Sequence, residues 1–175
     1  MKTAEKICSD LEVAFANRPY PGDDFIADTA EGDPSYEGND AAEFFKGMDW
    51  KDFSWSEGWA YPDFFAFLTP KGFAYYLPGF LKASLLDFDQ AFEVTQTVCF
   101  TLTPVETWEQ PALVKMRSDG LLQYQKNKLD EFSQPERKAI VSALHYLSYE
   151  YKKRNFITEV PYEELALYWD ILDDV

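Results

Sequence analysis

Few side chains in this sequence are of the types that most often carry chemistry. His145 is the single histidine, so any imidazole chemistry must use it. A lone histidine cannot build a multi-histidine metal centre, and no spacing pairs it with a serine or cysteine nucleophile. It sits one residue off the stripe that contains Leu144, where the expected role is that of a boundary residue on a helix. Cys8 and Cys99 are the only thiols. A reactive thiol needs a nearby cation or helix N-terminus to lower its pKa, and neither is visible in the local sequence, so both read as structural. A core-rich chain of 175 residues needs no disulfide staple, which points to a reducing, cytoplasmic environment.

Carboxylates are abundant by contrast. Asp23, Asp24, Asp28, Asp33, Glu37 and Asp40 could gather a hard cation, because oxygen ligands are what Ca²⁺ and Mg²⁺ select. The spacing fails a calcium loop, since Ala30 and Gly32 occupy the places where ligands should follow Asp28. The expectation is a solvated acidic loop with no metal and no cofactor. Phosphate-cradling loops of the GxxxxGK[ST] and GxGxxG types do not occur, which argues against nucleotide-dependent catalysis.

The balance of charge is more informative than any single residue. The formal net charge is −15, and residues 1–63 hold 15 acids against 5 bases, net −10. Nucleic acid is a poor partner for such a chain, because phosphates are neutralised by clustered Lys and Arg. A basic protein is a good one, since an acidic field steers and accelerates its association. Trp and Tyr dominate binding hot spots, and here Trp residues interleave with the acids. The candidate partner-binding set is therefore Asp23, Asp24, Asp28, Glu31, Asp33, Glu37, Asp49, Trp50, Asp52, Trp55, Glu57 and Trp59. The competing reading of the 49–65 aromatics is plain core packing, the usual fate of large rings.

The elements that must position these residues follow from periodicity and punctuation. Thr3 can cap a first helix, with Ile7, Leu11, Ala14 and Phe15 at helical spacing until Arg18-Pro19. Residues 18–39 form a loop-rich acidic segment marked by Pro, Gly and Asp. Asp40 and Glu43 have the order of a capping box for a short helix to about Met48, and the stretch after it is irregular with room for one helical turn. FFAFL (64–68) and FAYYL (73–77) flank Thr69-Pro70-Lys71-Gly72, consistent with a hairpin or with a helical FFAFL. Pro78 then opens a helix with Phe80, Leu81, Leu85 and Phe88 on one face. VTQTVCFTLT (94–103) alternates and reads as a strand, Val94, Val98, Phe100 and Leu102 on one side and Thr95, Thr97, Cys99, Thr101 and Thr103 on the other. Ser133 and Glu136 form a capping box for a helix carrying Ile140, Leu144, Leu147 and Tyr151, and Pro161 opens a last helix. The expected class is α+β: a mainly helical single domain over 1–175 with a small antiparallel sheet of two to four strands. The N-terminus is too broken by charge for a signal peptide, and no segment has the length of a membrane span.

Several of these landmarks together resemble an uncharacterised bacterial family known only as a domain of unknown function. The matching pieces are DAAEFFKGMDW (40–50), FLTPKGFAYYLPGFL (67–81), FSQPERKAIVSALHYL (132–147) and a late Trp169. The resemblance implies no established activity for any residue. The expected function is a non-enzymatic, cytoplasmic protein-binding domain, in its concrete form an immunity protein that blocks a basic bacterial toxin. Alternatives are an enzyme or a small-molecule or metal binder with an acidic cleft, and a housekeeping structural protein.

Overall fold

The computed structural model describes residues 2–33, 35–53, 64–104, 121–154 and 160–171. Eight α-helices follow one another among them: α1 (Ala4–Ala14), α2 (Glu37–Phe45), α3 (Phe64–Phe67), α4 (Pro70–Leu86), α5 (Phe92–Leu102), α6 (Leu121–Asp130), α7 (Gln134–Lys153) and α8 (Tyr162–Tyr168). Single 3₁₀ turns lie at Asp23–Phe25 and Trp50–Asp52. The expected α+β class is thus corrected to a helical one. No strand forms among the described residues, and the nearest approach to a sheet is an isolated antiparallel bridge between Ala27 and Leu68.

Two misread segments account for the difference. The run 94–103, expected as a strand, lies almost wholly in α5, because its alternation of apolar and Thr residues also satisfies a helical period. Val94, Thr95, Val98, Cys99, Thr101 and Leu102 are all buried, whereas Phe100 is 55% exposed. Pleating would put Val94 and Thr95 on opposite faces, yet each is 1% exposed. The threonine hydroxyls become compatible with a helix by bonding back to carbonyls four residues earlier: Thr95 to Ala91 at 2.7 Å, Thr101 to Thr97 at 2.9 Å and Thr103 to Cys99 at 2.8 Å.

The supposed hairpin is the start of the central helix. Thr69 caps α4 by accepting from Gly72 N at 3.0 Å, and Pro70 occupies the first helical position, where its missing N–H costs nothing. FAYYL is helical, and Pro78 lies inside α4. Residues 72–81 are buried on every side, so no polar face remains to betray the helical period. Around α4 pack α1, α5, α6, α7 and the Trp50–Asp52 turn, while α8 packs on α7 and α2 on α3.

The remaining boundaries divide between agreement and correction. Thr3 caps α1 as expected, accepting from Lys6 N at 3.3 Å. Ser133 and Glu136 form the expected capping box of α7. α2 begins earlier than expected, at Glu37 with Tyr36 as its cap, so Asp40 lies in the first turn and does not cap the helix. Buried apolar side chains from Ala4 to Ile171 join in one core cluster.

Candidate functional site

The acidic segment is pinned to the helical body at several points. Tyr20 OH donates to Asp23 Oδ1 at 2.6 Å and accepts from Gly47 N at 2.8 Å. Asp28 N donates to Phe67 O at 2.9 Å, and Thr69 N to Ile26 O at 3.0 Å. The Thr69 hydroxyl lies 2.5 Å from Phe25 O. Asn39 closes the loop ahead of it: its Oδ1 accepts from Ala30 N at 3.0 Å, and its Nδ2 donates to Asp33 O at 2.8 Å and Ala30 O at 3.2 Å.

Two glycines make these approaches possible. A Cβ on Gly38 would lie 2.0 Å from Asp28 O, and one on Gly72 would lie 1.9 Å from Ile26 O. Only a residue without a side chain permits such backbone contact.

On this frame Asp23, Asp24, Asp28, Glu31, Asp33 and Glu37 are all exposed, as are Asp49 and Asp52. Several have structural bonds as well as charge. Asp33 Oδ1 accepts from the Ser35 hydroxyl at 2.6 Å and from Ser35 N at 3.0 Å, which holds its carboxyl below the usual range. Asp49 accepts from Lys51 N at 2.9 Å and caps the Trp50–Asp52 turn. Asp24, Glu31, Glu37 and Asp52 make no ion pair or side-chain hydrogen bond among the described residues. They leave negative charge facing water on a fixed backbone.

The aromatic part of the expected surface is placed differently. Trp50 is 2% exposed, packs edge-on against Phe15 at 6.3 Å, and carries Lys82 and Lys51 at 5.7 and 5.6 Å from its ring centre. It is a core residue and is corrected from a surface contact to a packing one, because a ring of that area between α1 and α4 is worth most when buried. Trp55, Glu57 and Trp59 lie outside the described residues. The rings that do stand among the acids are Phe25, 56% exposed, and Tyr20, 36% exposed. Sequence reasoning passed over both. The available signal was Asp23-Asp24-Phe25, an apolar ring directly after two acids in a turn-rich loop.

Beneath the acids, α6 supplies a polar contact that the sequence did not mark. Tyr124 OH lies 2.8 Å from both Asp28 Oδ2 and Leu68 O. One turn later Lys128 Nζ donates to Ala66 O at 3.2 Å, with the rings of Tyr124 and Phe73 at 4.5 and 5.3 Å. Lys128 is 3% exposed, and burial pulls its amine down to about 8 despite the opposing pull of Asp28. This pair anchors Asp28 and the end of α3 to α6.

The other chemistry-bearing residues occupy packed positions. Burial pushes the Cys99 thiol up to about 12 and the Cys8 thiol up to about 11. His145 lies tilted against Tyr162, ring centres 4.9 Å apart. No group of three or more His, Cys, Asp or Glu residues is placed to hold a metal among the described residues, and no described helix is long and apolar enough to cross a membrane.

No curated protein and no solved structure matches the chain. A family model, that of a family of unknown function (DUF6714), matches residues 26–171. The match takes in the pinned acidic loop from Ile26, all of α2 to α8, and Trp169. The chain therefore belongs to this family of unknown function, DUF6714.

Proposed function

We propose that this chain is a non-enzymatic protein-binding module whose exposed N-terminal carboxylates meet a basic protein. The observation that carries the reading is the set Asp24, Glu31, Glu37 and Asp52: exposed, without ion-pair partners among the described residues, and held on backbone that side-chain bonds fix in place. Charges arranged in advance steer a partner's approach at little ordering cost on binding. Phe25 and Tyr20 supply the apolar contact that charge alone lacks. In its most specific form the module is a cytoplasmic immunity protein and the partner a basic bacterial toxin whose own site takes an anion.

Affinity capture with the full chain from its native host, followed by identification of what is bound, tests the reading. The expected partner is basic, dissociates as salt rises, and loses its activity when bound. A partner that is acidic, or that stays bound with undiminished affinity at high salt, contradicts it.

A further inference from the structure

A second feature lies away from the acidic loop, where the first turn of α7 meets the end of α8. Arg137 places its guanidinium carbon 5.6 Å from the centre of the Trp169 ring. Among the described residues it finds no carboxylate and no hydrogen-bond acceptor, and its Nε is shut from solvent. Trp169 is 8% exposed, and its indole Nε1 is likewise buried without an acceptor. Two orphaned N–H donors, one of them cationic, thus belong to one Arg–Trp contact.

That is an unusual expense for a fold to carry. A buried donor left unmet has lost its hydration without a replacement, and the loss is greater for a charged group. The chain holds 31 acids and 16 bases, so a carboxylate neighbour was readily available in the composition. The ring is also set by its backbone. Trp169 closes α8 with its N–H on Leu165 O at 3.0 Å, Asp170 turns into the left-handed region at φ 56°, and Ile171 N returns to Ala166 O at 2.9 Å. Phe132 meets the indole in a T-shaped contact at 5.9 Å.

The chemistry that answers these two donors is an anion with two acceptor atoms. A helical side chain leans back towards its own N-terminus, so the Arg137 guanidinium lies at the positive end of the α7 dipole. Guanidinium N–H groups match the oxygens of a planar carboxylate, and an in-plane indole N–H supplies a further donor. A singly charged carboxylate also suits a chain of net charge −15 better than a dianion does. We propose that Arg137 and Trp169 form a subsite for a small-molecule carboxylate, one oxygen taking Arg137 Nε–H and the other the Trp169 indole N–H. Arg137 is the more exposed of the two.

The test uses the full chain with ¹⁵N-labelled tryptophan, titrated with sodium acetate, sodium phosphate and, as control, sodium chloride at matched ionic strength. The Trp169 indole resonance is assigned by Trp169→Phe or, if that variant does not fold, by its nuclear Overhauser contact with the Phe132 ring. The expected result is a saturable downfield shift of this one indole signal with acetate, absent with chloride and lost in Arg137→Met. An indole signal that acetate leaves in place, an acetate shift that persists in Arg137→Met, or a shift with phosphate alone would each overturn the carboxylate subsite. The acidic surface plays no part in this outcome, so the two proposals stand or fall separately.

Discussion

Arg18 grips Glu136 with both arms, Nε on Oε1 and Nη2 on Oε2, each at 2.7 Å, across 118 residues of sequence. Ser133 N and the Ser133 hydroxyl donate to the same Oε2 at 2.7 Å, so the carboxylate that closes the α7 capping box also receives the segment following α1. Arg18 Nη2 reaches Glu131 O at 2.8 Å, and its guanidinium lies beside the touching rings of Phe15 and Phe132, 5.8 and 5.6 Å from their centres. The two side chains are 12% and 6% exposed. Removing one partner strands a buried charge, and Arg18→Met is expected to lose about 3–5 kcal/mol in urea unfolding.

The same pair sets an acid limit. Burial alone would raise the Glu136 carboxyl, but the bonds from Arg18 and Ser133 outweigh it and hold the group below its ordinary value of 4.5. The unfolded chain therefore takes up this proton first, so the contribution is complete above that value and drains as pH falls through the folded one. Glu136→Gln is expected to be less stable at neutral pH and to show a shallower loss in acid. An acid-unfolding profile that matches wild type in slope would count against this assignment.

Lys128 acts in the opposite direction. Its amine falls from an ordinary 10.5 to about 8 on folding, so a penalty for burying the charge is present below about 8 and is relieved as pH rises to 10.5. A shift of that size corresponds to roughly 3 kcal/mol. Relative to Lys128→Met, wild type is expected to gain stability across that window, and the variant is expected to equal or exceed wild type at pH 7. Thermal unfolding of both proteins between pH 7 and 10.5 reads the difference.

Gly72→Ala places a Cβ 1.9 Å from Ile26 O at the junction of the acidic loop with α4. Backbone must shift on one side, and a loss of about 1–3 kcal/mol in unfolding free energy is expected. Gly47→Ala, whose Cβ would meet nothing within 4 Å, introduces no such clash but retains the strain of its φ of 69°, and it separates the two effects.

The buried thiols make a simpler prediction. With Cys8 and Cys99 pushed to about 11 and about 12, neither is appreciably thiolate at pH 8. A thiol-specific reagent should label neither in the native protein within the time that labels both in denaturant. Fast native labelling would show that α1 or α5 opens readily.

Which of these features the sequence announces follows a physical rule. Local signals were legible: the Thr3 cap, the Ser133–Glu136 box and the stripe of Ile140, Leu144, Leu147 and Tyr151 on α7 all depend on neighbours within a turn or two. α4 was split because burial on all sides erases the periodic contrast that identifies a helix, and Pro70 reads as part of a turn and Pro78 as the start of a helix, although the first opens α4 and the second lies within it. α5 was misread because β-branched Thr and Val favour strands unless hydroxyls such as those of Thr95 and Thr101 bond back to the helix. The site fared similarly. That Asp23 to Glu37 would be exposed follows from their polarity, whereas the burial of Trp50 and the partnership of Asp28 with Tyr124 depend on contacts distant in sequence.

The most direct measurement of the central claim compares wild type with a variant neutralised only where the acids hold nothing in place: Asp24→Asn, Glu31→Gln, Glu37→Gln and Asp52→Asn together. Such surface changes should each alter stability by no more than about 0.5 kcal/mol, so the fold serves as its own control. Affinity for the captured basic partner is then measured for both proteins across a range of salt. The prediction is weaker binding by the variant, through slower association, and a flatter dependence on salt. Equal affinity and equal salt dependence in the two proteins would contradict the claim that these carboxylates are the binding surface.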